Sequence, residues 1–361
     1  MKFNKTISLV AAGMLPLCAS AQFTPSSSDQ GVSIYGRLDA SLNAVKYQGE
    51  SGTRKALSSD TSLIGFRGVE DLGDGLRAYF KMEHGFALDT GAASNATTFW
   101  NRETFVGLRS NTFGGIELGT HWDPFIYLNI KTDPFSRAQT GALLTLMQGT
   151  AVRGYVPILS NTVLWGSPDW GGLVIRLQMA APEGTGINKN YAGAVDYTSG
   201  RFYMGFAFDD IQALRTTVGL TGAGTVRAKT YGLGTTYRFD AVKLFGELSR
   251  STLERDTVNV NLLPEPNADG YLLGATVPIG LGEIRTAWER SNQVGSSASL
   301  VSVGYLYNLS KRTFLYTTAA KLTNGSTTKF AMYPTSQDFA AMPPKLGQDL
   351  TGFQVGMRHI F

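Results

Sequence analysis

The chain has one cysteine, Cys18, and three histidines, His84, His121 and His359. Cys18 lies in an N-terminal segment that reads as a cleaved leader, so disulfides, thiolate metal sites and cysteine catalysis are excluded from the rest. The histidines show no metal-ligand spacing, and neither a metal nor another cofactor is expected. No Gly-x-Ser-x-Gly elbow occurs, and Gly222-x-Gly224 and Gly232-x-Gly234 have no phosphate-binding unit around them. An excess of one charge is also lacking: 32 Lys and Arg stand against 28 Asp and Glu, and two of the cations, Lys2 and Lys5, fall in the leader. The basic residues are spaced singly, without the clustering of a nucleic-acid surface, so no nucleic acid is expected as a partner. No Pro/Ser-rich or charged linker divides the sequence, which reads as one domain. Nor does any apolar run reach the roughly 20 residues of a spanning helix.

What is present begins with Lys2 and Lys5, the apolar run from Ile7 to Leu17, and Ala19-Ser20-Ala21. Residues 1–21 therefore read as a secretory signal peptide, with residues 22–361 as the mature unit. Past it, segments of about ten residues alternate in polarity. In the first, Val32, Ile34, Leu38, Ala40 and Leu42 share one face, and Ser33, Tyr35, Arg37, Asp39, Ser41 and Asn43 the other. Similar segments recur near 61–69, 75–85, 100–109, 115–121, 159–166, 172–180, 190–198, 201–209, 229–239, 241–250, 269–277, 282–290, 299–308, 312–321 and 350–361. With the first they make sixteen, the even number that an antiparallel barrel with both ends on one side requires. Short turns such as Ser199-Gly200 alternate with long connections at 46–60, 122–158, 210–228, 251–268 and 322–349. An open sheet in hydrocarbon would leave edge groups unpaired at several kcal/mol each, so the sheet must close. The fold class expected is all-β, a 16-stranded antiparallel transmembrane β-barrel. Tyr35, Tyr79, Phe105, Trp165, Trp170, Tyr237 and Tyr305 lie near strand ends and are expected in interfacial girdles.

Five motifs in order resemble the general diffusion porins of Gram-negative bacteria, in particular the trimeric porins of β-proteobacteria. They are Val32-Ser33-Ile34-Tyr35-Gly36-Arg37-Leu38-Asp39, the run Gly65 to Leu76, Asn101-Arg102-Glu103-Thr104-Phe105-Val106-Gly107-Leu108, the run Phe113 to Gly119, and the ending Gly356-Met357-Arg358-His359-Ile360-Phe361. The resemblance implies a water-filled outer-membrane channel for passive diffusion of ions and small hydrophilic solutes, in a homotrimer. It also implies a third external loop, 122–158, folded inward as a constriction. Outer-membrane lipid, lipopolysaccharide and the barrel-assembly machinery follow as partners, with Phe361 as the assembly signal.

Parity then sorts the charges. Arg37 and Asp39 lie opposite the apolar stripe, and an arginine facing lipid at mid-depth costs roughly 2–4 kcal/mol. They are expected in the lumen, as are Arg67, Arg77, Lys81 and Glu83. Arg102 is ambiguous by parity, and the resemblance places it on the constriction wall, with Arg153 in the same basic cluster. Leu63 stands where related porins often carry a wall arginine, so the basic cluster is expected either to be weaker here or to be compensated by Lys81, Arg67 or Arg137. Asp123 and Asp133 on the loop are the expected opposing acids. A unit charge about 8 Å from an ion in water is worth roughly 0.5 kcal/mol. Three arginines, screened over a Debye length near 8 Å, give around 0.6 kcal/mol, a modest anion preference. A substrate-selective channel of the same fold is the alternative, and a barrel adhesin or hydrolase a more distant one.

Overall fold

A computed structural model of the protein describes residues 25, 30–147, 157–182, 189–214, 225–255, 267–293, 295–335 and 338–361. The expected signal peptide, 1–21, and Arg153 lie outside these residues. The alternating segments form β1 (Gly31–Tyr47), β2 (Thr53–Ser59), β3 (Leu63–Gly73), β4 (Leu76–Gly85), β5 (Thr104–Ser110), β6 (Gly114–Trp122), β7 (Ile158–Gly166), β8 (Leu173–Ala180) and β9 (Asn190–Ser199). The second half of the chain adds β10 (Phe202–Leu214), β11 (Thr225–Arg238), β12 (Lys243–Arg255), β13 (Ala268–Ile279), β14 (Gly282–Gln293), β15 (Ser296–Asn308), β16 (Thr313–Asn324) and β17 (Leu350–Ile360). Antiparallel neighbours pair throughout, and β17 returns to β1 in the register Arg37↔Ile360 to Tyr47↔Leu350, so the sheet closes. β3 pairs with the first part of β1 and β2 with the last part. These two strands are one stave interrupted at Asp60, Thr61 and Ser62, which makes sixteen staves.

The side-chain pattern inverts that of a water-soluble protein. Leu42 and Val106 are 66% and 58% exposed on the outer surface, while Ser41, Asn43, Ser302, Thr318 and Gln354 are buried on the inner one. Apolar side chains on the outside gain about 25 cal/mol per Å² only when hydrocarbon covers them. The tight turn between β3 and β4 is Asp74-Gly75, both at positive φ (50° and 76°), the left-handed pair that a two-residue hairpin needs.

Three expectations need correction. The segment 46–60 is a hairpin, because the inner-face alternation of β1 continues through the buried Val45 and Tyr47 before β2 begins. Arg102 precedes β5, which starts at Thr104. Tyr79 and Phe105 are buried on the inner wall, in edge-to-face contact, and belong to no girdle; Trp170 and Tyr237 remain exposed.

The connection after β6 carries two helices, α1 (Pro124–Thr132) and α2 (Leu144–Met147). α2 is a single turn of four residues. Nothing in the reading above anticipated α1, although its signal is ordinary: the Asp123 carboxylate accepts from Phe125 N at 2.8 Å as N-cap, and Pro124 opens the helix. Phe125 and Leu128 of α1 join Ala194, Tyr203, Ala207, Phe245 and Leu272 in one buried cluster on the inner faces of β9 to β13. The connection before β17 also packs inside. Phe330, Met332 and Phe339 meet Leu146 of α2, Leu300, Leu322 and Leu350.

Candidate functional site

The wall is hollowed where residues 125–140 lie against it. A Cβ on Gly232 would come within 2.5 Å of the Phe125 ring and 3.0 Å of Leu128, and one on Gly234 within 2.5 Å of Thr132. Farther along, Gly274 faces Pro134, Gly304 faces Phe135 and Gly352 faces Thr140. Hydrogen bonds fix the tip: Gln139 N donates to Asp60 Oδ2 at 2.6 Å, and Thr140 N to Gln354 Oε1 at 2.8 Å.

The two acids expected to oppose the basic cluster are structural. Asp123 caps α1. Asp133 is fully enclosed and accepts from the backbone N–H groups of Phe135 (2.8 Å), Arg137 (2.9 Å) and Leu143 (3.0 Å). Burial pushes the Asp133 carboxyl up to about 6 and that of Asp123 to about 7. A carboxyl raised on seating holds its proton more tightly in the seated loop than in water. The resulting stabilisation is complete below the free value, 3.8, and is lost as pH rises through about 6, on the order of 3 kcal/mol for Asp133. Open-channel current noise is therefore expected to be lower at pH 5 than at pH 8; equal noise at the two values would contradict this coupling.

The basic residues divide by exposure. Arg37 is buried, its Nε donating to Thr61 O at 2.9 Å, and Leu63 lies directly opposite it on β3. Lys81 is buried between Glu103 (2.5 Å) and Glu83 (3.1 Å). Arg137 is buried beside Asn129. Arg67 is half-buried near the short-turn end, with its Nε on Ser33 Oγ and its guanidinium over the Tyr35 ring. Arg102 turns inward before its strand begins: Nε is 3.4 Å from Glu83 Oε2 and the guanidinium lies 4.7 Å over the Trp122 ring. Among the described charges of the loop, Asp123, Lys131, Asp133 and Arg137, only Lys131 is exposed, its side chain at 42%. Its Nζ reaches Asp196 Oδ1 at 3.5 Å and covers the Tyr203 ring at 4.7 Å.

Five of the inner-wall acids, by contrast, are withdrawn under tyrosines. Glu83 accepts from the Tyr35 hydroxyl at 2.8 Å, and Glu103 from that of Tyr127 at 2.6 Å. Glu117 takes the Tyr79 hydroxyl at 2.6 Å, and Asp39 that of Tyr316 at 2.6 Å. Asp196 is held by Tyr203 together with Arg176, and Asp39 also by Arg358. The polarity pattern does not single out Arg358, Glu103, Asp60, Lys131 or Arg176. Their partners come from distant strands and from a helix that the polarity pattern does not reveal.

The structure thus assembles Arg37, Asp39, Lys81, Glu83 and Arg102 on one enclosed inner wall, sets Arg67 nearer the rim, and uses Asp123 and Asp133 inside the loop. Comparison with known proteins agrees with this architecture. The chain is 29% identical to the outer membrane porin protein 32 of Delftia acidovorans over 98% of its own length and 99% of the relative's. It is 25% identical to an outer membrane porin protein of Bordetella pertussis over 71% of its own length and 75% of the relative's. The solved anion-selective porin from Comamonas acidovorans superposes with a TM-score of 0.79 at 27% identity, covering 92% of this chain and 99% of that one. The OmpT barrel of Vibrio cholerae superposes at 0.68, covering 91% and 99%, and at 15% identity it speaks to the fold alone. A sequence profile described as Gram-negative porin matches residues 7–327, so the chain belongs to the Gram-negative porin family, outer-membrane β-barrel channels.

Proposed function

We propose that this porin is a general diffusion channel with modest anion preference, narrowed by the 122–158 loop folded into the lumen. The observation that carries the reading is the unequal exposure of the charges. The acids Asp39, Glu83, Glu103, Asp123 and Asp133 are buried, as are Arg37, Lys81 and Arg137, whereas Lys131 is 42% exposed beside Asp196 and Arg102 is partly open. A permeating ion meets cations first. The name of the Comamonas protein, an anion-selective porin, supports the same sign.

The decisive experiment is planar-bilayer recording of the purified protein in a salt gradient. Three equal conductance steps with an anion-selective reversal potential are expected, the steps reflecting a homotrimer as in the β-proteobacterial porins it resembles. Absence of conductance would reject the channel. Lys131→Glu reverses an exposed charge at the loop and is expected to move the reversal potential toward cations. Wild-type behaviour of that variant would remove Lys131 from the pore's field.

Residues 1–21 act as the secretory signal, and Phe361 as the terminal signal for barrel assembly in a membrane of lipid and lipopolysaccharide. Phe361 exchanges two backbone hydrogen bonds with Gly36, each 3.0 Å, and its ring covers that glycine. Deleting Phe361 is expected to deplete the protein from outer-membrane fractions, with unfolded chain accumulating instead. Normal outer-membrane levels of folded protein would count against that role.

A further inference from the structure

Two of the tyrosine–carboxylate bonds are built in the same way across three strands. Tyr35 of β1 stands directly opposite Gly65 of β3, and Gly65 directly opposite Glu83 of β4. Tyr79 of β4 stands opposite Gly107 of β5, and Gly107 opposite Glu117 of β6. The middle residue has no side chain, so the tyrosine ring lies across it. A Cβ on Gly65 would fall 2.5 Å from Tyr35 Cζ, and one on Gly107 2.9 Å from Tyr79 Cζ. The hydroxyl then reaches the acid along the wall instead of from the lumen. Tyr203 makes a related crossing, leaning over Gly205 to Asp196, the residue paired with Gly205 on β9.

The geometry points to these tyrosines as positioning residues for ion selectivity: each clamps a carboxylate flat against the wall and keeps its charge out of the permeation path. A carboxylate has about four lone-pair sites and rotates freely unless its donors are fixed. A phenol hydroxyl supplies a charge-assisted bond of set direction, because the ring that carries it is locked over glycine. Glu83 is only 1% exposed, although it lies on the inner wall of the barrel. Lys81 and Arg102 also hold Glu83, at 3.1 and 3.4 Å, but on longer side chains than the phenol whose ring is seated over Gly65. Without the hydroxyl, the acid is free to turn toward water and attract cations. This inference rests on the porin reading above and deepens it.

Tyr35→Phe and Tyr79→Phe test it, since phenylalanine keeps the ring over the glycine and removes only the donor. Purified full-length protein, checked for heat-modifiable gel mobility, is recorded in planar bilayers under a potassium chloride gradient. The anion-to-cation permeability ratio is expected to fall about twofold in Tyr35→Phe. The fall should vanish in a Glu83→Gln background, and it should also vanish as the bath is acidified through about pH 4, where a water-exposed carboxylate protonates. Tyr79→Phe supplies the second reading through Glu117. A wild-type ratio in both folded variants overturns the proposal, and so does a fall that persists with Glu83→Gln. A wild-type protein that conducts without anion preference overturns the underlying porin reading instead, a result distinct from either.

Discussion

Gly232→Val is expected to enlarge the single-channel conductance severalfold and to weaken ion selection, with the barrel intact. The closest atoms to a new Cβ at this position all belong to Phe125 and Leu128 of α1, and none belongs to the wall backbone. The strand itself tolerates the change, because a β-branched residue suits a pleated surface. Overpacking a filled site costs about 1–3 kcal/mol, and here the strain falls on the loop, which yields more easily than a hydrogen-bonded stave. Removing α1 from β9 to β12 would widen the lumen where the helix now packs. Liposome swelling with sugars of increasing size would report the wider aperture, and bilayer steps its conductance. If both match the wild type while the valine protein folds, the loop does not set the aperture.

The second large effect is expected at the seam where the first and last strands join. Asp39 faces Arg358 directly across β1 and β17 and accepts from Tyr316 of β16, so a single carboxylate ties three consecutive staves. Truncating one partner of a buried ion pair costs about 3–5 kcal/mol, mostly because the other charge stays buried without its counterion. Asp39→Ala should lower the urea midpoint of the barrel in lipid vesicles by a corresponding amount. Replacing Arg358 by Met in the same chain should recover much of the loss, since an apolar pair of similar volume is often neutral at buried sites. Equal stability of Asp39→Ala and wild type would show that the seam is held by its backbone ladder alone.

The staves were legible because period-two alternation is a local property, and a lipid-facing surface makes it unusually regular. Their ends were less so. Val45 and Tyr47 are apolar yet face inward, since the connection before β17 packs against them, and no local pattern announces such a partner. The wall charges were legible by parity, as Arg37, Lys81 and Glu83 illustrate. Their exposure was not, because it depends on which tyrosine or loop segment comes to cover them. Asp133 shows the limit most clearly: the same residue type in the same loop suits a selectivity filter and an internal turn, and only its three backbone donors separate the two. The glycines of the inner wall were visible as composition, but their use as a bed for the loop is a matter of three-dimensional placement.

The break at Asp60, Thr61 and Ser62 divides the second stave into an upper and a lower part, each with its own register on β1. The lower part is tied to β4 and the rest of the barrel, while the upper part pairs only with β1. The β2 arm of the hairpin is in that sense separate from β3, while its β1 arm, Ala40 to Tyr47, stays paired with β17. Slippage of β2 on β1 stops at the break before it reaches the lower register. A change of length or sequence at the Tyr47–Thr53 turn therefore leaves the pairing of β3 with β1 and β4 as it is.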